Sequence, residues 1–121
     1  MWYKTVINKR AIGSAGEDMA CKYLEKNGYQ ILERNKHYSK FCEIDIIAKV
    51  KDTVVFVEVK SRKTDNYGTP FEAITKSKYE NICKGVRYYL SEHPTKKYRI
   101  DVIGITLEPE VKIEHLKNVS I

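Results

Sequence analysis

Cysteine is scarce and scattered in this chain. Only Cys21, Cys42 and Cys83 occur in 121 residues, odd in number, far apart and set among apolar neighbours. With no C-x-x-C pair, neither a disulfide framework nor a zinc knuckle is expected, and free buried thiols fit a reducing cytosol. Histidine supplies no alternative ligand set: His37 has no second His or Cys at ligand spacing and reads as a solvated loop residue. No apolar run approaches the ~18 residues of a membrane span. The opening Met1-Trp2-Tyr3-Lys4 has no signal-peptide core. A cytoplasmic protein with no membrane partner is the expectation. Repeats, low-complexity tracts and internal linkers are also missing, which points to a single domain over residues 1–121.

What is present is globular: 42% hydrophobic and 31% charged residues. The net charge of +6 favours a polyanionic partner, nucleic acid ahead of an anionic membrane surface. Many small soluble proteins are basic, so charge alone decides little.

The most informative stretch runs from Glu43 to Lys60. Glu43-Ile44-Asp45-Ile46-Ile47-Ala48-Lys49-Val50 and Thr53-Val54-Val55-Phe56-Val57-Glu58-Val59-Lys60 are apolar, β-branched runs separated by Lys51-Asp52. This pattern predicts two buried strands joined as a hairpin. With Lys51-Asp52 as the loop, Val50 faces Thr53, Asp45 faces Glu58 and Glu43 faces Lys60. Directly opposed residues have Cβ atoms only ~4.5–5.5 Å apart, and like charges placed so are destabilising. A Glu43/Lys60 match is an ordinary ion pair. An Asp45/Glu58 match needs a shared proton or a cation.

Around this hairpin the rest of the chain can be ordered. Residues 1–12 are basic and aperiodic, and a loose arm is expected there. Ser14-Ala15-Gly16-Glu17 has the form of a helix capping box, followed by Met19, Ala20, Tyr23 and Leu24 at helical spacing and a stop at Gly28. Glu17 either caps Ser14 or, sharing a face with Ala20, Cys21 and Leu24, points towards the core; the spacing leaves both open. Tyr29–Arg34 reads as a strand and Asn35–Lys40 as a polar, basic loop. After Lys60 a basic loop continues through Arg62 and Lys63 to Gly68. Thr69-Pro70-Phe71-Glu72 has the form of a second capping box, ahead of a helix from about Lys76 to Ser91. That helix has an apolar stripe and a basic face with Lys76, Lys78, Lys84 and Arg87. Tyr98–Thr106 and Val111–Leu116 read as strands, the last at an edge. The order α-β-β-β-α-β-β predicts an α/β protein with a mixed sheet packed by helices.

Chemically, Asp45 and Glu58 are hard oxygen ligands suited to one Mg²⁺ or Mn²⁺. Lys60 lies two residues beyond Glu58, on the same face and about 6.6 Å along the strand. Its ammonium can stabilise charge developing on a phosphate. The spacing D-x₁₂-E-x-K on paired strands suits a metal-assisted phosphodiester hydrolase.

Asp45…Glu58-Val59-Lys60 resembles the PD-(D/E)xK motif of restriction-endonuclease-like proteins, with Ile44 in place of the proline. More closely, the chain resembles the YraN-like family of small bacterial proteins, similar to archaeal Holliday junction resolvases. Gly13-Ser14-Ala15-Gly16-Glu17, Glu43-Ile44-Asp45-Ile46-Ile47, Val55 to Arg62, Gly68 to Ala73, Lys78 and Arg99-Ile100-Asp101-Val102 carry the likeness. It implies a restriction-endonuclease-like α/β fold, a mixed central sheet flanked by helices. It also implies Asp45 and Glu58 as ligands of Mg²⁺ or Mn²⁺, Lys60 as the catalytic lysine and Glu17 as a helix-borne acid. Lys78, with Arg62 and Lys63, becomes a candidate for holding nucleic acid, DNA before RNA, and pairing into homodimers follows by analogy. Phe41-Cys42 stands where the family usually has a glycine. A nucleic-acid-binding module without catalysis is the alternative reading.

Overall fold

The computed structural model describes residues 9–40, 42–64 and 71–120. In chain order these form α1 (Lys9–Lys26), β1 (Gln30–Ser39), β2 (Cys42–Val50), β3 (Thr53–Arg62), a 3₁₀ turn (Phe71–Ala73), α2 (Lys76–Glu92), β4 (Tyr98–Thr106) and β5 (Lys112–Leu116). The five strands make one sheet in the order β1-β2-β3-β4-β5. Every neighbouring pair is antiparallel except β3–β4. A parallel pair needs a crossover, and α2 lies between β3 and β4 to supply it.

The sheet separates two cores. On one side Ala20, Cys21 and Leu24 of α1 pack on Ile46, Val55, Val57 and Ile103. On the other, Ile82, Val86 and Tyr89 of α2 pack on Ile47, Phe56 and Ile100. This is the α/β, mixed-sheet arrangement expected from the order of elements. Among the described residues no helix is long and apolar enough to cross a membrane. Cys21 and Cys42 are buried and Cys83 half-buried, all free thiols.

The hairpin has the expected register. Val50 pairs with Thr53 and the ladder runs to Ile46 and Val57. Lys51 takes the left-handed conformation, φ 54, as two-residue hairpins require.

Five expectations are corrected. Helix α1 begins at Lys9, so residues 9–12 are helical rather than a loose arm, residues 1–8 lying outside the described ones. Ser14 is therefore inside the helix and caps nothing. Close packing on β3 holds this stretch helical: a side chain at Gly16 would meet the Ser61 hydroxyl, and Ser61 Cβ at 2.8 Å. Strand β1 continues through the supposed loop to Ser39, with two register shifts against β2. Strand β3 runs on to Arg62, so Ser61 and Arg62 are strand rather than loop. The box at Thr69 falls partly outside the described residues, and its Phe71 and Glu72 belong to a single 3₁₀ turn. The cap of α2 is Thr75, whose side chain accepts from the Lys78 N–H at 3.0 Å.

A polar cluster fastens the far side of the sheet. Asp101 is fully buried and accepts from Arg99 Nε (3.0 Å), the Asn118 N–H (2.9 Å) and His115 Nε2 (2.7 Å). Tyr29 OH accepts from Arg99, and Tyr23 OH bonds His115 Nδ1. Helix α1, β4 and β5 meet there.

Candidate metal and phosphate site

Strict alternation would put Ile44 and Ile46 on one face of β2. Instead Ile46 packs in the α1 core and Ile44 in the α2 core. Strand β2 thus turns about its axis at Asp45. On β3 the Val54 N–H points towards β4, donating to Lys97 O, so by alternation the Val59 N–H points towards β2. There it donates to Asp45 Oδ2 at 2.9 Å. A carboxylate replaces a carbonyl as the cross-strand partner, and this draws Asp45 against Glu58.

Glu58 is buried, 3% exposed. Its Oε2 lies 3.7 Å from Lys60 Nζ and 3.6 Å from Lys78 Nζ. Its Oε1 is buried and has no hydrogen-bond partner among the described residues. Burial, then the neighbouring Asp45, push its pKa up to about 8 against the pull of Lys78 and Lys60. Burial also raises Asp45, opposed first by the Val59 N–H and then by Lys78. The two carboxyls are close enough to share a proton.

Glu17 stands nearby on α1. Its pKa is raised by burial and then by Asp45, with Asn35 and Arg34 opposing. Arg34 Nη2 lies 4.0 Å from it and 2.8 Å from Asp18. Glu17 does not cap Ser14. Asn35, which bonds Glu17 from a left-handed kink in β1 (φ 50), escaped sequence reasoning. Asparagine tolerates that conformation, but nothing in the spacing ties it to Glu17.

The structure thus brings Glu17, Asp45, Glu58, Lys60 and Lys78 to one place. Helix α2 contributes Lys78 through its capped first turn. Glu43 and Lys60 do not pair: Glu43 lies 3.5 Å from His37 Nε2, and Lys60 turns to Glu58. The twist at Asp45 ends the ladder before their register. Lys63 lies 3.9 Å from Glu108, both exposed, and does not join the acids. Arg62 is half-buried, its Nε without a partner among the described residues.

Among the described residues no group of three or more His, Cys, Asp or Glu side chains is arranged to hold a metal ion. Two carboxylates remain, one with an orphaned oxygen. That donor set fits Mg²⁺ or Mn²⁺, which use one or two carboxylates and complete their shell with water and phosphate.

Residues 16–105, a span containing all five of these side chains, match the model of the "Uncharacterised protein family UPF0102". The chain is similar to a UPF0102 protein of Caldanaerobacter subterraneus subsp. tengcongensis, 42% identical over 118 residues (93% of this chain, 96% of that one). It is 47% identical over 109 residues to one from Syntrophus aciditrophicus (88% and 85%). Another, from Acetivibrio thermocellus, is 41% identical over 116 residues (94% and 89%). Among solved structures, Pyrococcus furiosus SfsA in complex with Ca²⁺ aligns with a TM-score of 0.37 and 18% identity, covering 95% of this chain and 66% of that one. That likeness is too loose to fix the fold.

Proposed function

We propose, for a chain that belongs to the uncharacterised protein family UPF0102, a divalent-metal-dependent endonuclease that hydrolyses phosphodiester bonds in DNA. One observation carries the reading: Asp45 and Glu58 are pressed together, and Glu58 Oε1 is buried without a donor among the described residues. Such a pair calls for a cation or a proton. Asp45 and Glu58 would hold Mg²⁺ or Mn²⁺. Bound there, the ion supplies a Lewis acid for a phosphoryl oxygen and lowers the pKa of an attacking water.

The remaining roles belong to the chain's own side chains. Lys60 and Lys78 flank Glu58 and present two ammonium groups to a phosphate and to the charge that grows on it in the transition state. Glu17, with its pKa raised, is placed to exchange a proton with water at the edge of the site. Arg62 and Lys63 follow Lys60 along the chain and would extend the contact to neighbouring phosphates.

Incubation of the protein with plasmid, single-stranded and four-way-junction DNA in Mg²⁺ or Mn²⁺ tests this. Cleavage is expected, and its loss in Asp45→Ala and Glu58→Ala. No cleavage by the parent chain, or unchanged cleavage in both variants, would sink the proposal.

A second reading, nucleic-acid binding without catalysis, draws on the two lysines already set around Glu58. They and a shared proton can neutralise the pair with no metal. Binding that falls steeply with salt, yet survives Asp45→Ala and chelation, would select it.

A further inference from the structure

Helix α2 turns a second set of side chains away from the sheet. Ile82, Gly85, Val86 and Tyr89 bury one face. Lys76, Lys84, Arg87 and Tyr88 recur at helical spacing on the other, with about 18 Å of helix from first to last. Lys84, Arg87, Tyr88 and Ser91 line an open depression of about 480 Å³. A second of about 320 Å³ continues it towards Lys76 and takes in Glu80, the one acid lining either depression among the described residues. Lys76, Lys84 and Arg87 are exposed and enter no ion pair among the described residues.

Tyr88 is 52% exposed but held in place. Its ring stacks on Tyr38 of β1, centroids 5.3 Å apart at 17°; Lys36 Nζ lies 5.4 Å from the Tyr38 ring and 3.5 Å from Glu33, and Glu92 also stands beside Tyr38. A solvated helix face accounts for the cations. It does not account for a pre-stacked aromatic pair whose exposed member, Tyr88, shares one depression with Lys84 and Arg87. Rings that offer a flat surface beside positive charge suit unpaired bases joined by phosphates. Bases within a duplex have their faces already covered.

We propose that this face of α2 is a stacking platform for single-stranded nucleic acid. Tyr88 carries an unpaired base, and Lys84 and Arg87 hold the flanking phosphates. The inference rests on nucleic acid being the substrate, but it uses none of the acids at Glu58. A strand that branches from a duplex could then lie along α2 while its junction reaches Lys78 at the start of the same helix.

The test is fluorescence anisotropy with labelled oligothymidylate and a duplex of equal length. It is done in chelator on a Glu58→Gln background, so that no cleavage intervenes. Tyr88→Ala is expected to weaken single-strand binding about tenfold, the scale of one base–aromatic stack. Tyr88→Phe should bind as the parent does, and duplex binding should not change in either variant. Lys84→Gln with Arg87→Gln should weaken both ligands and flatten the salt dependence. Parent-like binding by Tyr88→Ala, or an equal loss for duplex, overturns the platform. So does competition by polyglutamate as effective as that by unlabelled oligothymidylate, which would assign the face to an acidic protein. If Asp45→Ala abolishes cleavage while Tyr88→Ala binds normally, the acid site stands and the platform falls. If Tyr88→Ala loses single-strand binding while the parent cleaves nothing, the platform stands and the nuclease reading falls.

Discussion

Glu58 is a glutamate held where ionisation is opposed. Its ordinary pKa of 4.5 rises to about 8 through burial and Asp45. The folded chain therefore holds this proton more tightly than the unfolded one. Its contribution to stability is full below about pH 4.5 and is lost as pH rises towards about 8. In chelator, urea unfolding of the parent should weaken across that window by up to about 1.4 kcal/mol per pH unit for one proton. Glu58→Gln should flatten the profile. Asp101 behaves oppositely. Burial alone would raise its pKa, but the bonds from His115, Arg99 and Asn118 outweigh it and hold the carboxylate below its usual range. Its contribution is present above the ordinary pKa and is lost as pH falls through the depressed one. Asp101→Ala leaves Arg99 without its buried partner and should cost roughly 3–5 kcal/mol in urea unfolding.

Elements were legible where apolar pattern alone decides them. Strand β4 runs Tyr98–Thr106 as its apolar pattern, with Arg99 and Asp101 on one side, implies, and α2 follows its stripe from Lys76. Their boundaries needed no partner to define them. The start of α1 and the end of β1 were not legible, because contacts distant in sequence extend both. Gly16 is the clearest case. Helix propensity alone says that Gly16→Ala should stabilise by about 1 kcal/mol. The approach to β3 says the reverse: the Ser61 hydroxyl can rotate away, but Ser61 Cβ at 2.8 Å cannot. Gly16→Ala should destabilise by roughly 1–3 kcal/mol, the usual scale of overpacking. Adding Ser61→Gly should recover most of that loss, as read by thermal or urea unfolding. Because Glu17 comes directly after Gly16, the same change should also move its carboxyl relative to Asp45.

In the whole molecule, the order of strands and helices followed from sequence, and so did the pairing conflict between Asp45 and Glu58. The manner of their meeting did not. The axial turn of β2, the entry of Lys78 from α2, and the Asp101–His115 contact across β4 and β5 depend on how separate elements stack, which no local spacing encodes. A ligand for the acid pair should act on the stability of the entire fold, since it would bind the assembled site and not the unfolded chain. Mn²⁺ should raise the midpoint of thermal unfolding, by more at pH 8 than at pH 6, because protons compete for Glu58 at the lower value. Asp45→Ala and Glu58→Gln should both lose the increment.

The bond from the Val59 N–H to Asp45 Oδ2 gives the sheet a built-in probe. An amide that donates to a carboxylate senses that group's charge through its own resonance frequency. In ¹⁵N-labelled protein the Val59 cross-peak should therefore move with pH alongside the acid pair, and respond separately to added Mn²⁺ or Mg²⁺, while the Val54 amide, bonded to a peptide carbonyl, stays nearly still. The state of the site could be followed at one backbone atom, with no substrate present.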